Sequence, residues 1–153
     1  DDIEQVWLPL WKKKHPQPKT QVSPSVIVIQ PSGAASIVEA DVFSMSYREM
    51  GQLIGAEGLD AVHFSDSLDQ ITKVCSFRGY RVVMYTDRDA NVKKLADNAI
   101  GTLLYGKDVE IRGAVLIALE DSRYDTHPFH FQEDIDKVYD EISKLTGGLA
   151  RRS

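Results

Sequence analysis

Short apolar runs separated by turn residues recur along this chain and restrict the folds open to it. Residues 25–41 form two β-branched runs around a Pro-Ser-Gly turn, a hairpin pattern in which Gly33 can take a positive φ. Further strand-like runs span 59–65, 71–77, 80–86 and 109–121. The last of these runs is the most apolar, which favours a central place in a sheet, with a bend at Gly113.

Three other segments carry helical signals. Ser46 and Glu49 have the spacing of a capping box at the start of a helix over 47–55. The stretch 91–105 allows one long helix, or a short extended piece through Leu95 and then a helix capped by Asp97 or Asn98 and ended by Gly106. We favour the second, because an apolar face begins only at Ile100. A third helix is predicted over 131–146, where apolar residues recur at alternating spacings of four and three: Phe131, Ile135, Val138, Ile142 and Leu145.

Strands and helices do not alternate regularly in this order. The sequence therefore predicts an α+β fold, with a small mostly antiparallel or mixed sheet of five to six short strands and three helices. By composition we divide the chain into an extended Pro-rich arm (1–24), an α+β domain (25–120), and a loop followed by a C-terminal amphipathic helix (121–153).

Composition excludes several classes of protein. The net charge of −5 argues against a domain held on nucleic acid by bulk electrostatics. The single cysteine, Cys75, cannot form an internal disulfide, and its apolar surroundings predict a buried thiol. No apolar run approaches the roughly 18 residues of a membrane span. Phosphate-cradling and dinucleotide-binding glycine patterns are absent, so nothing in the sequence indicates a cofactor.

The arm is the most unusual segment. Four of the six prolines lie in the first 24 residues, and because proline lacks an amide donor we expect neither a helix nor a central strand there. The arm also holds both tryptophans and the one dense basic run. We predict that it docks on a partner through Trp7, Leu8, Pro9, Leu10, Trp11, Lys12, Lys13 and Lys14.

Two other interpretations of the arm stay open. The tryptophans could instead fold back onto their own domain. Tryptophan beside lysine also occurs at membrane interfaces, but Pro9 interrupts any amphipathic helix, so membrane contact would be peripheral at most.

Several polar clusters contain residue types that can bind metal ions. His127 and His130 are three residues apart, near Asp125 and Glu133, but Pro128 makes the backbone between them extended, which favours loop packing. His63 alternates with apolar neighbours on a strand, so we expect it on the solvent or paired face. Acidic pairs that we expect to be turn residues are Asp87 with Asp89 and Asp66 with Asp69. A metal-dependent enzyme that uses Asp87, Asp89, His127 and His130 is an alternative hypothesis, and no catalytic residue is assigned.

Residues 26 to 119 resemble a small family of domains of unknown function that is common in phages and bacteria. In that family a strand ends in an acidic turn, an Asn opens a helix that carries a Thr, and a glycine precedes the last strand. The matching positions here are Tyr85, Asp87, Asn98, Thr102, Tyr105 and Gly113. Gly55-Ala56-Glu57-Gly58 departs from the family's double glycine. The resemblance implies a compact α+β fold without an established activity, and it suggests as an alternative a phage-like regulator that acts on nucleic acid or its machinery.

We therefore expect a non-enzymatic accessory or structural subunit that docks on a larger protein assembly through its N-terminal arm. The chain starts with Asp1 rather than methionine, which fits a trimmed form or a mature form that has lost a targeting peptide. An organelle is one location compatible with that second form.

Overall fold

The structure, a computed structural model, describes residues 20–63, 80–106 and 109–152. The strands are β1 (Gln21–Ile29), β2 (Ala34–Glu39), β3 (Leu59–Val62), β4 (Arg81–Asp87), β5 (Val115–Glu120), β6 (Thr126–His127), β7 (Phe129–Phe131) and β8 (Arg151–Arg152). The helices are α1 (Tyr47–Gln52), α2 (Ala99–Tyr105) and α3 (Gln132–Leu145), with a 3₁₀ turn at Val42–Ser44.

These strands form one mixed sheet in the order β3-β4-β5-β1-β2-β8. Short strands extend it, since β6 pairs with β5 and β7 pairs with β1. Every pairing is antiparallel except that of β2 with β8. The predicted α+β class is confirmed, but the sheet has eight strands rather than five to six, because the two- and three-residue pieces β6, β7 and β8 are too short to leave an apolar pattern.

The sheet is covered on both faces. Alternate residues of each strand point to opposite sides, so Ile27 and Ile29 pack under α2 and α3 while Val26 and Val28 pack under α1 and the 3₁₀ turn. Strand β5 is buried along its whole length, as expected for a central strand. The described residues thus form a three-layer domain with one apolar cluster on each side of the sheet.

The start of the domain differs from the sequence-based boundary. Strand β1 begins at Gln21, not Ser25, and it lies inside the sheet although it contains Pro24. The pairing of β1 with β7 changes register between Gln21 and Ser25, so the ladder does not require an amide donor from the proline. The Pro24 carbonyl still accepts a hydrogen bond from the Ala40 amide at 2.8 Å. Proline therefore did not mark the domain boundary here.

The helix signals are largely confirmed. Ser46 and Glu49 form the predicted capping box on α1, which ends at Gln52, three residues earlier than expected. Helix α2 starts after Asn98, whose side chain accepts from the Gly101 amide, and ends at Gly106 with φ 71°. Helix α3 buries the predicted face, except that Leu145 is partly exposed and Phe131 belongs to β7.

Some predictions lie outside the described residues. They include the strand over 71–77 and its hairpin with 80–86, the thiol of Cys75, the acidic pair Asp66 and Asp69, and the arm residues from Asp1 to Lys19. Among the helices in the described ranges, none has the length and apolar character needed to cross a bilayer.

Candidate binding site: an aromatic pocket

Three of the family-pattern positions form one buried network that joins α2 to the sheet. The Asn98 side chain donates through Nδ2 to the carbonyls of Ile29 (3.1 Å) and Gly113 (2.9 Å), and its Oδ1 accepts from Gly101. Thr102 Oγ1 accepts from the Ile111 amide at 2.9 Å. Gly113 has φ 80°, a conformation that an L-residue rarely adopts. Asn98, Thr102 and Gly113 therefore stabilise the packing of α2 on the sheet.

The other pattern positions are also held inside the domain. The Tyr85 ring is buried, and its hydroxyl hydrogen-bonds that of Thr126. Burial raises the pKa of the Tyr85 phenol, so it stays protonated. Asp87 accepts from Lys93 Nζ and from the Asp89 amide, both at 2.8 Å, which confirms the predicted turn chemistry. Tyr105 is partly buried against the core.

His63 and His127 have carboxylate partners. His127 lies between the rings of Phe43 and Tyr80, with centroid distances of 4.8 and 4.7 Å, and its Nε2 is 2.7 Å from Asp121 Oδ2. This contact, the largest influence on Asp121, lowers the pKa of that carboxyl. His63 Nε2 is 2.9 Å from Oε1 of the buried Glu120. His63 and His127 thus link the ends of β3 and β6 to the end of β5.

The four residues of the metal hypothesis do not come together. Asp87 pairs with Leu59 at one end of β4, whereas His127 pairs with Leu119 of β5, which is level with Val82 near the other end. Five residues along β4 separate these two levels, which is about 17 Å at the usual rise per residue. Within the described ranges, no group of three or more His, Cys, Asp or Glu side chains has metal-binding geometry.

The exposed aromatic side chains of the described residues line one cavity. Phe43, Tyr47 and Tyr124 are 59%, 50% and 64% exposed, and they are the exposed aromatic residues of the described chain. All three line a cavity of about 250 Å³, which we call the aromatic pocket. Its other lining residues are Val42, Met45, Met50, Asp125 and Thr126. Sequence reasoning missed this site, because its residues come from two segments about 80 positions apart and become neighbours only through the sheet.

A rigid turn presents Tyr124 to the pocket. Asp121 Oδ1 accepts from the amides of Arg123 (2.8 Å) and Asp125 (3.0 Å), and the Tyr124 amide donates to the Asp121 carbonyl. Tyr124 adopts φ 67°, which is unfavourable for a residue with a side chain by about 1 kcal/mol or more. The guanidinium of Arg81 lies 5.0 Å from the Tyr124 ring centroid.

Thr20, the first described residue, is hydrogen-bonded to the start of α3. The Thr20 amide donates to both carboxylate oxygens of Glu133, at 2.9 and 2.8 Å, and the Thr20 carbonyl accepts from the Gln132 amide. These bonds, led by the one from Thr20, lower the pKa of Glu133. Glu133 therefore ties Thr20 to the first turn of α3.

Comparison with known proteins returned no match. No protein-family model, curated protein or solved structure is detectably similar to this chain.

Proposed function

We propose that the chain is a non-enzymatic accessory subunit that docks on a larger protein assembly, with the N-terminal arm as its main contact. The observation that carries this proposal is that the described residues from Gln21 onward already form an apolar core. Two apolar clusters, one on each face of the sheet, are built from residues after Thr20. Both tryptophans precede it.

The hydrogen bonds between Thr20 and α3 support the same function. Because Glu133 and Gln132 hold Thr20 against α3, a partner bound to the preceding residues would be tethered to the domain at the start of α3. Burial of two tryptophans and two leucines would contribute several kcal/mol at about 25 cal/mol per Å², before the cost of association is deducted.

The polar residues of the domain add further support. The buried polar side chains described above, including Asn98, Asp87 and Glu120, all bond to groups within the fold. In the described ranges no buried side-chain nitrogen or oxygen lacks a partner. A catalytic group commonly keeps an exposed or perturbed reactive atom. Binding thus accounts for the exposed features better than catalysis does.

Truncation of the arm tests the proposal. A chain that starts at Lys19 keeps the Thr20–Glu133 contact and should unfold within about 2 °C of the full chain, because surface changes away from structural contacts are nearly neutral. It should lose the partner that co-elutes stoichiometrically with the native full-length chain. As a control, Val92→Ala removes an apolar side chain that is 83% exposed on the domain and should retain the partner.

Tryptophan fluorescence gives an independent readout, because both indoles lie in the arm. The free monomer should show emission typical of solvated indole and easy quenching by acrylamide, and the complex should show a blue shift with protection. A blue-shifted, protected signal in the free monomer, or a truncated chain that melts several degrees lower, would show that the arm belongs to its own core. Retention of the partner by the truncated chain would also contradict the proposal.

A further inference from the structure

We propose that the aromatic pocket binds a positively charged side chain, lysine or arginine, of a partner protein. The inference deepens the proposed function by naming the partner's chemistry at a second surface. It shares with that function the role of a binding protein, but it does not involve the arm. Variants in the pocket leave the arm intact, so failures of the two proposals can be told apart.

The ring arrangement is the first reason. The faces of aromatic rings carry partial negative charge, and several rings around one cavity attract an organic cation. Phe43 and Tyr124 come from different segments, and Tyr47 completes the rim from the start of α1. The Arg81 guanidinium over Tyr124 is an intramolecular example of this contact, and Arg81 does not line the pocket.

Charge is the second reason. Among the described residues that line the pocket, Asp125 is the one with an acidic side chain, and none is a lysine or arginine. The chain as a whole has a net charge of −5. A cation would therefore gain contacts with the Phe43 and Tyr47 rings and with the Asp125 carboxyl group, in addition to the Tyr124 ring that Arg81 already contacts.

Size and rigidity are the third reason. A volume of about 250 Å³ suits one long side chain rather than a folded element. The pocket is held in shape by the Phe43–His127 stack, by the edge contact of Tyr47 on Tyr85 at 5.9 Å, and by the Asp121 turn. A preformed site loses little conformational freedom on binding.

The test uses two capped tripeptides, Gly-Lys-Gly and Gly-norleucine-Gly, added to the full chain. Norleucine has the shape of the lysine stem without its charge. We expect the lysine peptide to shift the backbone amide NMR signals of residues 43–47 and 124–126 in a saturable, salt-sensitive way, and the norleucine peptide to bind at least about threefold more weakly, as a weak exposed cation–π site predicts. Equal binding of both peptides, or no saturable shift with lysine, would refute the proposal.

Variants assign the effect to the pocket. Asp125→Asn and Tyr124→Gly should each weaken the lysine peptide by about two- to fivefold. Tyr124→Gly suits the positive φ at that position, so the fold should tolerate it. Asp140→Asn is the matched charge control, because Asp140 lies on α3 across the sheet from the pocket, and it should bind like the unaltered chain.

One variant separates a partner from the chain's own arm. Changing Lys12, Lys13 and Lys14 to Gln should leave the pocket signals of the free chain in place and the affinity unaltered. If those signals move, or if the peptide then binds more tightly, the arm of this chain is the occupant and the partner assignment is wrong.

Discussion

Replacement of Asn98 by alanine tests most directly whether the family-pattern residues are structural. Asn98 is 0% exposed and its side chain makes three hydrogen bonds. Loss of an N-cap costs about 1 kcal/mol, and each of the two bonds to carbonyls adds about 1 kcal/mol net. We therefore expect unfolding stability to fall by about 3 kcal/mol, which lowers Tm by about 6–12 °C for a chain of this size.

A second substitution at the same position tests the hydrogen bonds that Asn98 donates. Asn98→Asp keeps the acceptor for the Gly101 amide but directs a carboxylate oxygen at the carbonyls of Ile29 and Gly113. A protonated carboxyl can donate to one of them, so folding should raise the pKa of Asp at this position. A raised folded pKa gives stability at acid pH that is lost as the pH rises through that value. The variant should therefore be more stable near pH 4 than near pH 7, relative to Asn98→Ala.

The assay is urea unfolding followed by circular dichroism at the two pH values. Asn91→Ala is the control, because Asn91 is an exposed turn residue and its loss should cost less than about 0.5 kcal/mol. A loss below 1 kcal/mol for Asn98→Ala, or no pH dependence for Asn98→Asp, would refute the assignment of Asn98 as the bond between α2 and the sheet. Its place in the resemblance would then call for a functional role.

Two further predictions concern backbone sites. Gly113→Ala should lower the free energy of unfolding by about 1–2 kcal/mol in thermal unfolding, because the new Cβ would lie 2.7 Å from Leu95 Cδ1 in a residue with φ 80°. Gly55→Ala is the control for the backbone strain alone, because Gly55 has φ 71° and its new Cβ would have no atom within 4 Å. Equal losses of stability in the two variants would show that the Leu95 contact does not matter. The Thr20 amide NMR shift should titrate with a midpoint below the ordinary glutamate pKa, because the lowered pKa of Glu133 keeps this contact above that midpoint and releases it as the pH falls. Glu133→Gln should abolish that titration, and an unchanged curve would assign it to another group.

Local signals in the sequence predicted the helices well. The Ser46–Glu49 pair and Asn98 cap residues within one turn of themselves, so their effect can be predicted from the sequence without tertiary information. The preference for a short helix ending at Gly106 was correct for the same reason, but the extended piece expected through Leu95 is wrong, because residues 91–94 form a turn. The α3 stripe also followed directly from periodicity.

Features that depend on distant pairing were not predicted. Pro24 was placed in the arm by its lack of a donor, but the register shift opposite β7 accommodates it within β1. Strand β8 consists of two arginines that pair in parallel with Ala34 and Ala35, and no local sequence pattern predicts this contact. The pocket needed both the position of Phe43 and the Asp121 turn, and these depend on how β6 adds to β5.

The central place of β1 has a consequence for biosynthesis. Its hairpin partner β2 leaves the ribosome directly after it, whereas its other neighbours, β5 and β7, are translated only much later. Until then one side of an apolar strand, Val26 to Ile29, is an open template for pairing with any nascent chain nearby. The polypeptide is thus most vulnerable to aggregation in the interval before Val115 emerges, a period when chaperone cover would matter most.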